Sequence, residues 1–367
     1  MDNYSYNRII IVGNGYDRAL NLPTSYNDFL LDYLKSAVFT AFEKDYNEDP
    51  LFKIPHVRYA KPDNLKAVLE SINDIPLFLN QAKLNYEFQY TTDFFDLLID
   101  HVLDKNWVDI ENLYFNLLIR KISSIQKSDP LNRKYDSIEE LNQQMNFLKK
   151  KLEEYLIKVQ LNHRISPLDS PMQSIHSEFN EKLLGIPAFK LHGKHDSEIE
   201  NPSKVVFLNF NFTNFLSQVA FSRWQGNFII NIHGELNNSR NPIIFGYGDD
   251  SHPIYESLEN EQSDEPLKQI KSFYYPKTDN YHQVLGVMSE KPYEVFIVGH
   301  SCGLSDRTLL KTIFEDDNCL GIKIYHRGNE HDHFLKNIAI SRHFQNKVKL
   351  RDKILPYDEH AIIPQAK

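Results

Sequence analysis

Cysteine is almost missing: the 367 residues contain only Cys302 and Cys319. Two thiols are too few for a disulfide framework or a four-cysteine zinc site. No apolar run approaches the roughly 20 residues that cross a bilayer, and the first residues lack the charged, apolar and small-residue order of a signal peptide. The expected location is cytoplasmic, with no membrane partner. Positive charge is not in excess either, since 41 Lys and Arg face 50 Asp and Glu for a formal net charge of −9. That sign disfavours nucleic acid as a partner, because such binders carry a phosphate-neutralising surface. A nuclease is disfavoured further because no spaced set of carboxylates and lysine stands out.

Aromatic residues, by contrast, are abundant, with 20 Tyr and 24 Phe. Apolar residues make up 41% and charged residues 25% of the chain, close to globular averages. The length fits two domains, or one α/β domain with a large insertion.

The first structured signal is RIIIVGNGYDRALNLPTSYNDFL, Arg8 to Leu30. Ile9, Ile10, Ile11 and Val12 run without alternation, the pattern of a strand buried on both faces. Gly13 and Gly15 bracket Asn14, which predicts a tight turn with φ > 0 and a backbone free to approach a phosphate. No lysine follows, so the turn is not a Walker loop, and Arg18 stands where a dehydrogenase fingerprint has its third glycine.

From Tyr26 to Leu184 the pattern is helical. TTDFFDLLIDHVLDKN and WVDIENLYFNLLIRKISSI predict two helices joined near Lys105 and Asn106. In SIEELNQQMNFLKKKLEEYLIKVQL the apolar stripe Leu141, Met145, Leu148, Leu152, Tyr155 and Val159 predicts an amphipathic helix, with Ser137 and Glu140 as its capping box. YNEDPLFKIPHVRYAKPDN, with its prolines, reads as a loop.

After Lys204 the short apolar runs VVFLNFNF, NFIINIHG, NPIIFG, YEVFIVGHS and GIKIYHRG alternate with helix-length segments such as TNFLSQVAFSRW and LSDRTLLKTIFE. That alternation predicts an α/β fold, a Rossmann-like parallel sheet with flanking helices. The first strand joins it, so a large helical insertion follows that strand. The expected division is an α/β nucleotide-binding core over 1–30 and 200–345, a helical subdomain over 31–199 and a C-terminal tail over 346–367.

Ligands of open α/β sheets gather beyond the carboxyl ends of the strands. Those ends carry Gly13, Asn14, Gly15 and Asp17, then Asn209, Asn211 and Thr213, then His233 and Gly234, then Phe245, Gly246, Asp249 and Asp250, and finally Gly299, His300, Ser301 and Asp306. In order along the chain, GNGYDRALNLPTSYNDFL, WVDIE, FNFTNFL, NIHGEL, IIFGYGDD and IVGHSCGLSD resemble the AbiH family of phage abortive-infection proteins. A fainter likeness is to sirtuin-like NAD-binding domains, through Gly13-Asn14-Gly15 with Pro23, Phe210-Asn211-Phe212-Thr213, His233-Gly234, Phe245-Gly246 and Gly299-His300-Ser301. The sirtuin zinc ribbon has no counterpart, because only ELNNSRNPII separates the His-Gly and Phe-Gly elements. No zinc or other metal is therefore expected.

The resemblance implies NAD as substrate or ligand, with Asn211 and His233 as catalytic residues beside the nicotinamide ribose. It implies nucleotide contacts from Gly13, Asn14, Gly15, Asp17, Thr213, Gly246, Gly299, His300, Ser301 and Asp306, with Ser301 and Gly299 at the adenosine end. Imidazole suits a general base near neutrality, and a carboxamide both accepts and donates hydrogen bonds. Asp17 replaces a sirtuin serine and Thr213 an aspartate, either of which could retune the nucleotide or abolish turnover. Local alternatives stay open: Asn211 as a helix cap, Asp249 and Asp250 as a solvated turn, and His331 and His333 as an exposed helix start. Asp109 and Glu111, after Trp107, complement a helix N-terminus.

Three functions follow for comparison: an NAD glycohydrolase acting in phage defence, a nucleotide-sensing module without turnover, and a helical scaffold engaging a phage or host protein. A phage-derived trigger, a host protein and a second copy of the chain all remain open as partners.

Overall fold

The computed structural model describes residues 5–55, 65–85, 90–105, 109–128, 134–166, 170–182, 201–220 and 228–366. Strands run over Asn7–Val12 (β1), Asn47–Glu48 (β2), Phe52–Ile54 (β3), Tyr90–Thr91 (β4), Lys204–Asn209 (β5), Phe228–Asn231 (β6), Tyr293–Val298 (β7) and Cys319–Ile324 (β8). The chain forms two compact units. The first comprises Met1–Pro23, Ile157–His252 and Ile270–Lys367, and the second Thr24–Leu156 and Pro253–Gln269.

The first unit is built on a five-stranded parallel sheet in the order β6-β5-β1-β7-β8. This is the Rossmann-like α/β arrangement that the alternating apolar runs predict. All six residues of β1 are buried, as are all six of β7, which explains why both read as unbroken apolar runs. From β1 the chain steps outward to β5 and β6, then returns to the other side of β1 with β7 and β8. The order therefore reverses between β1 and β7, where doubly wound sheets open a crevice beyond their carboxyl ends.

One sheet face packs on the helices Asn280–Glu290 and Arg307–Glu315, whose Val284, Val287, Met288, Leu309, Leu310, Ile313 and Phe314 join Ile9, Ile11, Val295 and Ile297 in one apolar core. Arg8 is also fully buried. Its guanidinium pairs with Glu294 of β7, lies 4.3 Å from the Phe296 ring centre and donates to the carbonyls of Glu178, Phe179 and Glu181. Burial pushes the Glu294 carboxyl up to about 7 against the opposing pull of Arg8. The C-terminal residues are integrated as well: Leu355 donates to Ile322 of β8, and Ile354 and Ile362 form parallel bridges with Ile322 and His326.

NPIIFG differs from its expectation of a strand. Ile243, Ile244 and Phe245 are buried, but the stretch is extended coil, tied to the turn after β6 by the Ile244 amide donating to His233 O at 2.8 Å. Burial alone explains its apolar character.

The second unit contains the helices Tyr26–Lys44, Asp93–Lys105 and Ile110–Gln126 and most of Asp136–Asn162. Ser25 and Asp28 form a capping box at the first of these, and Asp109 caps the third by accepting from the Asn112 amide at 3.0 Å. The predicted stripe from Leu141 to Val159 is buried throughout. The predicted capping box at Ser137 is absent, because the helix begins at Asp136 and Ser137 is already helical.

The proline-rich loop expectation also gives way. β2, β3 and β4 form an antiparallel three-stranded sheet. Asp49 folds the hairpin by accepting from the amides of Leu51 and Phe52, and Phe52 then packs 4.6 Å from the Phe95 ring centre. Residues 56–64 of that stretch, and Trp107, lie outside the described residues. Among the described residues no helix is long and apolar enough to cross a membrane.

Candidate functional site

The turn after β1 does not take the predicted positive φ. Gly13 caps a six-residue helix, Asn14–Ala19, with φ of −125°, and neither Gly13 nor Gly15 has positive φ. What needs both glycines is the turn after β7. A Cβ on Gly13 would lie 2.6 Å from His300 Cα, and one on Gly15 2.6 Å from Gly299 O. The Gly13 amide donates to Val298 O at 3.2 Å and the Gly15 amide to Gly299 O at 2.8 Å. The close approach expected for a ligand is thus made by protein backbone, and these two amides are engaged. Gly299 reciprocates at φ +71°, with space for a Cβ closed off by the Tyr16 amide nitrogen. Asn14 is exposed, as is Ser301 across the switch point.

A first polar group lies at the carboxyl ends of β1 and β5. Asp17 is buried and accepts from Asn211 Nδ2 at 3.1 Å and Thr213 Oγ1 at 2.6 Å. Asn211 Nδ2 also donates to Gly13 O at 3.2 Å. The Asn211 side chain therefore joins two strand ends rather than capping the helix Phe215–Ala220. Burial pushes the Asp17 carboxyl up to about 7, although the bonds from Thr213 and Asn211 pull it down.

A second group centres on Asp306, buried beyond β7. Lys271 Nζ donates to its Oδ1 at 2.7 Å. His233 Nε2 stands 3.3 Å from the same oxygen, out of line for a hydrogen bond and with no hydrogen-bond partner. His300 Nε2 lies 3.5 Å from Oδ2, while its Nδ1 accepts from the Cys302 amide at 3.0 Å. That amide bond fixes the His300 proton on Nε2, facing Asp306. Burial, then the Lys271 charge, lowers His233 to about 4. For His300 burial opposes protonation, but contacts with Asp306 and Cys302 outweigh it and raise the pKa. Burial works against ionisation of Asp306, yet Lys271 and the two imidazoles hold it well below the usual carboxylate range.

Phe210 links the two groups along the chain. Its ring packs on the second group, 4.9 Å from the His233 ring centre and 4.3 Å from that of His300, and Asn211 of the first group is the next residue along the chain. The turn carrying His233 is further pinned by Glu235, which accepts from the side-chain amides of Asn231, Asn238 and Asn241 at 2.8, 2.8 and 3.2 Å. Asn231 in turn accepts from Asn209 at 2.9 Å.

The fold thus brings Gly13, Gly15, Asp17, Asn211, Thr213, His233, Gly299, His300 and Asp306 to one end of the sheet. Gly246 is buried in the stretch that leads to Gly248, whose amide donates to Ser305 O. Asp249 is not a solvated turn residue: it is buried and pairs with Arg307 at 3.1 Å, whereas Asp250 is exposed. The helix start at His331 forms as read, with Asn329 as cap, although His333 is buried. Sequence reasoning does not reach Lys271. It sits in KQIKSFYYPK, which carries no strand or turn signature, and only its apolar and aromatic neighbours hint at burial.

A family profile described as bacteriophage abortive infection AbiH matches residues 9–326. No curated protein matches the chain. The profile covers most of the sequence, β5 to β8 entire, β1 from Ile9 and both polar groups, and the chain belongs to this family.

Proposed function

We propose that this AbiH-family protein, whose membership indicates phage defence by abortive infection, acts by binding NAD beyond the carboxyl ends of β1, β5, β6 and β7 and hydrolysing its nicotinamide–ribose bond in the cytosol. The observation that carries the reading is the Phe210 ring, which packs against both the His233 and His300 imidazoles at the same end of the sheet where Asn211 bonds Gly13 O and Asp17.

In the reaction the C1′–N1 bond breaks, its electron pair leaves with nicotinamide, and a water oxygen bonds to the oxocarbenium-like C1′. The water proton passes to His233 and then to solvent. With its pKa lowered to about 4, His233 is unprotonated across the physiological range and so available to accept, though it is a weaker base than an imidazole whose pKa lies near the operating pH. The Asn211 side-chain oxygen can accept from a ribose hydroxyl, while its two N–H groups, held by Gly13 O and Asp17, donate to ribose or water only once those bonds open.

One observation favours a second reading, a nucleotide sensor without turnover. Asn211 and the Gly13 and Gly15 amides are already bonded within the protein, and His233 and Asp306 are buried. A phage-derived or host trigger that opens this closed centre would reconcile the two readings, and self-association is one way to deliver it. Incubation of the full chain with NAD, following nicotinamide, separates them. The hydrolase reading expects release that falls roughly 10²- to 10⁴-fold in His233→Ala, the usual cost of losing a positioned base. Calorimetric binding of NAD or ADP-ribose with no release selects the sensor. Absence of both binding and release removes the two together.

A further inference from the structure

Asp306 has one carboxylate and three cationic or imidazole neighbours, and their geometry is uneven. Lys271, 1% exposed, takes Oδ1 with a direct bond at 2.7 Å. His233 Nε2 approaches that oxygen to 3.3 Å without aligning and has no other hydrogen-bond partner. A buried ring nitrogen without a bond is costly, so other contacts must hold it there. Here the ring is held by Phe210, edge-on at 4.9 Å, and Phe212, tilted at 6.3 Å.

We propose that Lys271 and Asp306 are positioning residues for His233: the ammonium holds Oδ1 so that the carboxylate faces Nε2 and fixes the imidazole's proton there without bonding it fully, leaving Nδ1 as the basic atom. The inference rests on the reading of His233 as general base but is tested apart from it. The charged groups around His233 are Lys271 from the stretch after Gln269, and Asp306 and His300 from the segment after β7. The Asp249–Arg307 pair flanks that segment. Lys271 disfavours protonation of His233 and Asp306 favours it, so removing each has the opposite effect.

The test is a long-range proton–nitrogen NMR titration of full-length protein labelled at histidine, with the His233 signals assigned by their loss in His233→Ala. In the wild type the account expects one neutral tautomer, protonated on Nε2. Lys271→Met frees Asp306 Oδ1 to bond Nε2, and the protonation constant of His233 rises at least about tenfold, within the range an unopposed neighbouring carboxylate produces. Asp306→Asn removes the tautomer preference and lowers the protonation constant. Should either single variant fail to fold, the double variant Lys271→Met/Asp306→Asn removes both charges together, and loss of the single tautomer there supports the proposal equally. An unchanged His233 tautomer and titration in the folded variants overturns it. Nicotinamide release supplies the second readout: in an active enzyme the acid limb of the rate profile moves up with the same titration in Lys271→Met. A wild type that releases no nicotinamide removes the hydrolase reading, while the titration still decides the role of the pair.

Discussion

Replacing Gly15 by alanine tests the claim that the glycines after β1 serve the turn after β7. A Cβ there would sit 2.6 Å from Gly299 O, 2.7 Å from Gly299 Cα and 3.0 Å from its carbonyl carbon. All three are backbone atoms, and Gly299 is itself locked at φ +71° against Tyr16. The turn must therefore move apart. Overpacking of this kind costs about 1–3 kcal/mol, and straining the Gly15 amide bond to Gly299 O loses up to about 1 kcal/mol more. Against this, alanine gains about 1 kcal/mol over glycine within a helix. The net expectation is a destabilisation of up to about 3 kcal/mol, read as a lower urea midpoint at unchanged slope. Gly286→Ala is the internal control. Gly286 lies inside the helix Asn280–Glu290 with nothing within 4 Å of its would-be Cβ, so that variant should gain about 0.5–1 kcal/mol. If Gly15→Ala were as stable as Gly286→Ala, the packing argument would fail and the glycine would have to serve a ligand instead.

Other consequences are equally concrete. Because folding raises the Asp17 pKa from 3.8 to about 7, the folded state binds a proton that the unfolded chain releases, and stability falls as pH rises through that window. Asp17→Asn removes this dependence, so its stability relative to wild type should improve between pH 4 and 7 and level off above; parallel slopes in pH-dependent denaturation would refute it. Glu294→Gln leaves the Arg8 guanidinium buried without its counter-ion and should cost about 3–5 kcal/mol in chemical denaturation, with a surface-like loss near zero as the contrary result. Thr213→Val keeps the shape but removes the 2.6 Å bond to Asp17; it should raise the Asp17 pKa further, seen as a carboxyl shift in carbon-detected NMR titration.

Much of the α/β unit is legible in runs such as IIIV and VFIV, because a strand buried on both faces shows no alternation and a helix disfavours β-branched residues in succession. The AbiH resemblance is legible too, in the polar and glycine residues at the ends of those strands. Burial without pairing is not. Ile243 to Phe245 carry the same apolar signal as a strand, yet their burial comes from folding back on His233. The hairpin of β2 and β3 hides behind its prolines, since a pair of strands this short is set by the Asp49 turn rather than by an apolar pattern. Lys271 is invisible for a different reason: a buried lysine has the same letter as an exposed one, and its burial depends on Asp306, far away in the chain. Gly13 and Gly15 announce a close approach, and the backbone that approaches is the Gly299 turn.

The most direct test of the central claim is a crystal of the full chain soaked with ADP-ribose. Nucleotide density is expected at the carboxyl ends of β5 and β6, with a ribose hydroxyl against Asn211 and C1′ facing the His233 ring. Density confined to another surface at saturating ligand, with the Asp17–Asn211 and Lys271–Asp306 contacts intact, would contradict it.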